Sequence, residues 1–169
     1  MEESMSIPAL SLQQVLELAV ATEARGAQYY QQLSEKFSSE QEVAAVFARL
    51  SQDERVHEAT FRKLLAGAPP DKSVAPEDDG YLPLRAAATS DFFRAETLSD
   101  LSRLQTAADA LTHALQFEKA TLFYYQAAKD ALGASAELDE LITAERAHMT
   151  ALMRTIISDA KFRGLADPW

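Results

Sequence analysis

Two short stretches of the chain contain the same arrangement of a glutamate and a histidine. Glu54 is followed after three positions by His57 in DERVHEATF (residues 53–61), and Glu145 by His148 in AERAHMTAL (residues 144–152). On a helix, side chains three positions apart lie next to each other on one face. A carboxylate and an imidazole in this arrangement can bind one divalent metal ion or two adjacent ions. The repeated pair therefore indicates metal binding, with both stretches contributing to the same site.

The composition predicts an all-α protein with a single domain, residues 1–169. The chain has 169 residues, of which 47% are hydrophobic, and only five glycines and six prolines. Alanine, leucine, glutamate and glutamine favour helices and are frequent here, whereas β-branched residues are too scattered to form a sheet. A chain of this length can bury a sizeable core within one domain.

Charge and residue usage exclude several classes of function. The net charge of −10, without a basic stripe, argues against binding to nucleic acid or to an anionic membrane surface. No apolar run approaches the roughly 18 to 20 residues that a membrane span needs. The acidic start, MEESMSIPAL, differs from a secretory signal, so we expect a cytoplasmic protein. The absence of cysteine excludes disulfides, thiolate zinc sites and cysteine-held iron–sulfur clusters.

Start and stop signals predict four long helices. The first is expected to begin at a capping box formed by Ser11 and Gln14 and to end near Phe37. The other three are predicted to run from Ser39, capped together with Glu42, to Gly67; from a cap at Ser99 to Gly133; and from about Ser135 to just before Gly164. Residues 161–169 then form a C-terminal tail.

The lengths of the connections predict the topology. The first and last connections are about two residues long, so each should join two helices into an antiparallel hairpin. Residues 67–98 form a long crossover segment with a loop-like first half and room for a short helix in the second half. Its aromatic residues Tyr81, Phe92 and Phe93 either cover the bundle or pack in a dimer. Two hairpins joined by one long crossover form the ferritin-like four-helix bundle.

Each predicted helix has one apolar face that is interrupted near its middle by polar residues. Spacings of three and four residues keep these polar residues on the same helix face as the apolar stripe. In the third helix, the stripe is expected to start at Leu101 and Leu104. The six residues that interrupt the stripes are Glu23, Glu54, His57, Glu118, Glu145 and His148.

Four buried carboxylates need compensating positive charge, and no lysine or arginine lies on these stripes. Two divalent cations would balance them, with neutral imidazoles completing the coordination. Di-iron carboxylate bundles use this ligand set, with a glutamate from each of two helices and Glu-x-x-His from each of the other two. Manganese and zinc suit the same ligands, because affinity alone does not select iron. A polar core layer held together by hydrogen bonds is the alternative interpretation.

A pair of tyrosines also occurs twice. Tyr29 and Tyr30 follow Glu23 at six and seven residues, and Tyr124 and Tyr125 follow Glu118 at the same offsets. Two helical turns separate the second tyrosine of each pair from its glutamate, so Tyr30 and Tyr125 should lie on the ligand face and could donate hydrogen bonds to carboxylates. Tyr29 and Tyr124 are expected to serve in packing or at the surface. The chain thus reads as two copies of one hairpin, each supplying half of a pseudo-twofold metal site.

These motifs resemble the rubrerythrin branch of the ferritin-like superfamily, over essentially all of its four-helix domain. The six candidate ligands match the ligand motif of that family, and Tyr30 matches its tyrosine beside the ligands. The resemblance implies a centre of two iron ions that reacts with hydrogen peroxide or oxygen. By the same analogy, Glu54 and Glu145 bridge the metals. The remaining ligands would divide into Glu23 with His57 on one metal and Glu118 with His148 on the other.

Two departures from the family pattern affect these expectations. Classical rubrerythrins have a further glutamate three residues after the ligand in the third helix, where this chain has Thr121. They also carry a rubredoxin domain that holds iron through four cysteines, and this chain has no cysteine. Peroxide reduction would therefore need an external electron donor protein. We expect the assembly to be a homodimer.

Two other functions remain open at this point. One is a ferroxidase or iron-storage protein of the ferritin type, which would need a large shell or a host compartment. The other is a structural or regulatory bundle whose metal stabilises the fold.

Among the remaining polar residues, His113 is expected at the surface or behind the ligands. Asp53 is expected to be a solvated carboxylate, or less favourably to orient a histidine of another helix.

Overall fold

The computed structural model describes residues 8–162 and 164. A short antiparallel ribbon pairs β1 (Leu10–Ser11) with β2 (Ser73–Val74), with Leu10 opposite Val74. The helices are α1 (Leu12–Lys36), α2 (Gln41–Ala66), α3 (Tyr81–Ala88), α4 (Ala95–Ser99), α5 (Ala107–Leu132) and α6 (Ala136–Phe162), with 3₁₀ turns at Asp91–Phe93 and Leu101–Arg103. The predicted all-α bundle of four long helices with one long crossover is confirmed. Most of the predicted C-terminal tail lies outside the described residues.

Helix ends follow the local capping chemistry, with two corrections to the sequence prediction. The capping box of Ser11 and Gln14 opens α1 as predicted. The box predicted at Ser39 is wrong, because α2 begins one residue later with Glu40 as its N-cap and has no side-chain cap bond. The predicted start of the third long helix at Ser99 is also wrong, because Ser99 ends the short helix α4.

The third long helix, α5, begins at Ala107 because a better capping site lies there. The Thr106 hydroxyl accepts a hydrogen bond from the Asp109 backbone, and the Asp109 side chain accepts one from the Thr106 backbone. Leu101 lies in a 3₁₀ turn, and Leu104 follows that turn while still packing against the core. These leucines continue the apolar stripe without belonging to the helix, which is why the pattern alone extended it too far.

The core consists of two apolar clusters. One contains the start of α1, the end of α5 and the start of α6. The other contains the second half of α1, the first half of α2 and the first half of α5. Each of the four long helices contributes one or two of the six candidate ligands, and these lie between the residues that belong to the two clusters. All six candidate ligands are buried. The fold therefore places one buried polar layer between two apolar layers.

The crossover covers one side of the bundle. The helix α3 packs on α5, with Tyr81 and Leu84 buried. Phe93 is also buried, and its ring lies 5.2 Å from that of Tyr124. Phe92 lies 6.0 Å from Phe117 of α5, measured between ring centroids. These crossover aromatic residues pack on the bundle of their own chain. No helix in the described part of the chain is both long and apolar enough to cross a membrane.

Candidate metal centre

All six side chains predicted from the sequence meet in the polar layer. Glu23 comes from α1, Glu54 and His57 from α2, Glu118 from α5, and Glu145 and His148 from α6. Each is at most 6% exposed. Their positions between the apolar clusters follow from the helical period, which turns each of them towards the bundle axis. Whether they bind metal stays a prediction.

His57 faces three carboxylates from three helices. Its Nδ1 atom lies 3.1 Å from Oε1 of Glu145, 3.4 Å from Oε2 of Glu54 and 3.5 Å from Oε2 of Glu23. One imidazole nitrogen cannot satisfy three carboxylates by hydrogen bonding, because it carries at most one proton. The arrangement therefore places three carboxylate oxygens around one nitrogen, whose single proton can form a hydrogen bond with only one of them.

His148 repeats this arrangement in the other half of the site. Its Nδ1 atom lies 3.4 Å from Oε2 of Glu118 and 3.5 Å from Oε1 of Glu54. The two imidazole rings are nearly parallel, with centroids 5.1 Å apart. Glu54 thus directs one oxygen towards each histidine, which puts its carboxylate between the two halves of the site.

The donor set fits a metal centre because the atoms that face one another lack other partners. Five buried atoms of the candidate ligands have no hydrogen bond: Oε2 of Glu23, Nδ1 of His57, Oε2 of Glu118, Oε1 of Glu145 and Nδ1 of His148. Among the other described residues, Nε and Nη2 of Arg25 are also buried without a hydrogen bond. Unpaired buried polar atoms are costly, so five of them directed into one layer point to an additional group. One ligand atom from each of Glu54, His57, Glu145 and His148 can be chosen so that all lie within 4.8 Å of one another. Carboxylate oxygen and imidazole nitrogen suit iron, manganese and zinc.

The electrostatics of the protein alone show the same need for positive charge. Burial raises the pKa of Glu23 and that of Glu118 well above the usual range, and neighbouring carboxylates add to this effect. Burial also acts to raise the pKa of Glu54, but contacts with Glu23 and with both histidines outweigh it and lower that pKa. Burial opposes the charged form of His148, yet contacts with Glu118 and Glu54 raise its pKa to about 11. Protons on these groups therefore provide the balance that bound cations would otherwise supply.

Two tyrosines donate hydrogen bonds from one hairpin to a glutamate of the other. These glutamates, Glu23 and Glu118, are the two that do not belong to a Glu-x-x-His pair. The Tyr125 hydroxyl of α5 donates a hydrogen bond to Oε1 of Glu23 in α1. The Tyr30 hydroxyl of α1 donates one to Oε1 of Glu118 in α5. Each glutamate keeps its second oxygen directed towards a histidine, so the tyrosines fix the carboxylates without occupying the inner oxygens. The pseudo-twofold repeat in the sequence therefore corresponds to a reciprocal exchange of hydrogen bonds.

Thr121 supplies a contact whose partner the sequence did not reveal. Its hydroxyl oxygen lies 2.9 Å from Oε2 of Glu145 and 3.0 Å from the backbone oxygen of Glu118. The sequence identified Thr121 only as a departure from the family pattern. Its role as a donor to a carboxylate of α6 depends on the rotation of α5 against α6, which one helix's periodicity does not specify.

Asp53 lies beside a histidine of another helix. Its Oδ2 atom is 3.4 Å from Nε2 of His148 and 3.6 Å from Nε of Arg49. The sequence alone favoured a solvated carboxylate at Asp53 over this arrangement. The equivalent position in the other copy of the motif is Ala144, so His57 has no such neighbour from the repeat.

The site borders a surface groove between α2 and α6. The groove has a volume of about 620 Å³ and is lined by both histidines and by Arg49, Asp53 and Arg154, among other residues. Small solutes can therefore approach the histidine side of the polar layer from solvent.

The fold and the buried cluster together define a ferritin-like carboxylate bundle. The chain is similar to a crystal structure from Thermotoga maritima of a protein described as a ferritin-like diiron-carboxylate protein. The TM-score is 0.65 and the sequence identity 23%, over 89% of this chain and 97% of that chain. The rubrerythrin family model matches residues 14–156. The chain therefore belongs to the rubrerythrin family. No curated protein gives a significant match.

Proposed function

We propose that the chain is an oxidoreductase with two iron ions that reduces hydrogen peroxide. The observation that carries this proposal is the convergence of five buried ligand atoms without hydrogen-bond partners in a layer supplied by all four long helices. A polar layer held only by internal hydrogen bonds would satisfy these atoms instead of directing them towards one another.

The residues divide into two halves that share two carboxylates. Contacts of His57 with Glu23 and of His148 with Glu118 support one histidine and one glutamate for each metal. Glu54 has contacts with both histidines, which supports a bridging role. We assign the second bridge to Glu145, whose ligand atom lies in the same cluster.

The bound iron pair would supply the two electrons that convert hydrogen peroxide to water. The chain's own residues fix the ligands and control access. Tyr30 and Tyr125 hold the outer oxygens of Glu118 and Glu23, and Thr121 lies within hydrogen-bonding distance of Glu145. The groove at the two histidines gives a small oxidant a route to the site. Since these 169 residues contain no cysteine, we assign re-reduction to a separate electron donor protein.

The experiment that tests this function compares hydrogen peroxide with oxygen as the oxidant. The reduced, iron-loaded protein is mixed with each oxidant in stopped flow, and the oxidation of iron and the consumption of oxidant are followed together. We expect peroxide to react faster and to be consumed at one molecule per iron pair. Glu54→Ala should lose the reaction, whereas Glu58→Ala, which removes a partly buried carboxylate that pairs with Arg62 and is not a candidate ligand, should keep it.

Other outcomes would assign another function. Faster reaction with oxygen, followed by growth of an iron mineral, would indicate a ferroxidase or storage protein and contradict the peroxide proposal. Metal that stabilises the fold without reacting with either oxidant would indicate a structural or regulatory bundle.

We also propose a cytoplasmic homodimer. Measurement of the molar mass in solution distinguishes it from the large shell that storage needs.

A further inference from the structure

The two tyrosine pairs differ in the partner of their outer hydroxyl. The Tyr29 hydroxyl lies 2.7 Å from Nδ1 of His113. Its counterpart in the repeat, Tyr124, instead donates a hydrogen bond to the backbone oxygen of Val15 at 2.9 Å. An imidazole can accept a proton completely near neutral pH, whereas a peptide oxygen can only accept a hydrogen bond. The two halves of the bundle are therefore chemically different just outside the candidate metal centre.

A continuous series of contacts joins the first pair to a candidate ligand. Tyr30 donates its hydrogen bond to Glu118, and the Tyr30 ring lies 5.0 Å from that of Tyr29 between centroids. Tyr29 then contacts His113 directly. Tyr29 and Tyr30 are at most 1% exposed, so water does not interrupt the series.

His113 connects this series to solvent. It is half-buried and lines a surface pocket with Glu96, Asp100 and Arg103. Burial lowers the pKa of His113 and raises the pKa of Tyr29, with the Glu118 carboxylate adding to the latter effect. Both groups are therefore neutral at pH 7, and the phenolic proton stays on Tyr29 until the ring loses an electron.

We propose that Tyr30, Tyr29 and His113 form an outlet that carries oxidising equivalents from the metal centre to the surface. The inference rests on the proposed function, which supplies the oxidant. The outlet operates when peroxide reaches a centre that holds only one of the two electrons needed to convert it to water. The missing electron then comes from the protein, and Tyr29 is its source.

The transfer balances in electrons and protons. An electron passes from Tyr29 through Tyr30 to the oxidised centre, and the phenolic proton of Tyr29 moves to Nδ1 of His113. The products are a neutral Tyr29 radical and a His113 imidazolium. A surface reductant of the ascorbate class returns one electron, and the proton moves back from His113 to Tyr29. Tyr124 cannot follow this sequence, because the oxygen of Val15 does not take its proton.

The chain offers its own control for the test. The iron-loaded protein and the variants Tyr29→Phe, His113→Gln and Tyr124→Phe are first half-oxidised, so that centres holding one electron are present, and are mixed with hydrogen peroxide. The samples are then freeze-quenched for electron paramagnetic resonance. Iron content and circular dichroism are measured for each variant. The parent and Tyr124→Phe should give the same tyrosyl radical signal, which ascorbate removes. Tyr29→Phe and His113→Gln should lose most of it while keeping the iron.

Each other result contradicts the outlet. An unchanged signal in Tyr29→Phe, an equal loss in Tyr124→Phe, or no radical in an iron-loaded parent that consumes peroxide overturns the outlet and leaves the proposed function in place. A parent that binds no iron, or whose iron does not react with peroxide, overturns both.

Discussion

Tyr125 of α5 donates its phenolic hydrogen to Glu23 of α1, and Tyr30 of α1 returns the same contact to Glu118 of α5. Each hairpin therefore fixes a candidate ligand of the other. Such neighbours of metal ligands orient the carboxylates before the metal binds. We therefore expect both tyrosines to matter for metal affinity as well as for packing.

Tyr125→Phe should weaken metal binding by about 10- to 100-fold, because Glu23 loses the donor that fixes its orientation. Tyr124→Phe is the matched control, since this neighbouring buried tyrosine bonds to the backbone oxygen of Val15 instead of to a candidate ligand. Competition with a chelator of known affinity measures both. Equal affinities for the two variants would contradict the role of Tyr125.

Thr121→Val should lower the free energy of unfolding of the metal-free protein by about 1–3 kcal/mol, because a buried oxygen of Glu145 loses its donor. Thr121→Ser keeps the hydroxyl and should retain more of the stability. Thr143→Val is the control, since its exposed hydroxyl bonds only to the Asp139 backbone. Urea unfolding measures all three. A Thr121→Val protein as stable as the parent would show that the hydroxyl does not support Glu145.

Gly26→Ala should destabilise the protein by about 1–3 kcal/mol through overpacking. An added Cβ would lie 3.1 Å from Cε1 of Phe117 and 3.4 Å from Cγ of Glu54. Phe117 is buried and cannot easily move away, so the clash outweighs the better helix propensity of alanine. Gly67→Ala, with no neighbour closer than 3.7 Å, should change stability little. Urea unfolding of both variants tests this, and equal stabilities would contradict the close packing at Gly26.

His113 should make the protein less stable as the pH falls below about 6.5. Burial lowers its pKa in the folded state, so the unfolded chain binds the proton at higher pH than the folded chain. The contribution of neutral His113 is therefore present above the unfolded pKa and is lost as the pH falls through the folded pKa. Urea unfolding of the parent and of His113→Gln, at pH values from about 7.5 to 5, isolates this effect. Parallel stability curves would contradict it.

The repeated spacing allowed the candidate site to be predicted in outline. Glu54 with His57 and Glu145 with His148 share a helix face because the helical period requires it. The seven-residue offsets of Tyr30 from Glu23 and of Tyr125 from Glu118 likewise predicted that each tyrosine lies on the face of its glutamate. What periodicity cannot specify is the rotation of one helix against another, so it did not show which tyrosine reaches which glutamate.

The error in the predicted start of α5 has its physical origin in local competition. Leu101 and Leu104 fit the apolar stripe of α5, yet the capping box at Thr106 sets the start of the helix. Tyr29, which lies off the ligand face, was predicted to serve in packing or at the surface, and it packs in the core. Its contact with His113 depends on the relative placement of α1 and α5, which the pattern of one helix does not contain.

The most direct test of the central claim is the metal content of the protein after anaerobic ferrous loading and desalting, measured by elemental analysis. We expect about two irons per chain in the parent and in Glu58→Ala. Glu54→Ala and Glu145→Ala should lose the dinuclear complement, and full occupancy in both would contradict their assignment as bridges. A parent with almost no iron would contradict the metal centre itself and leave a helical bundle with a polar core.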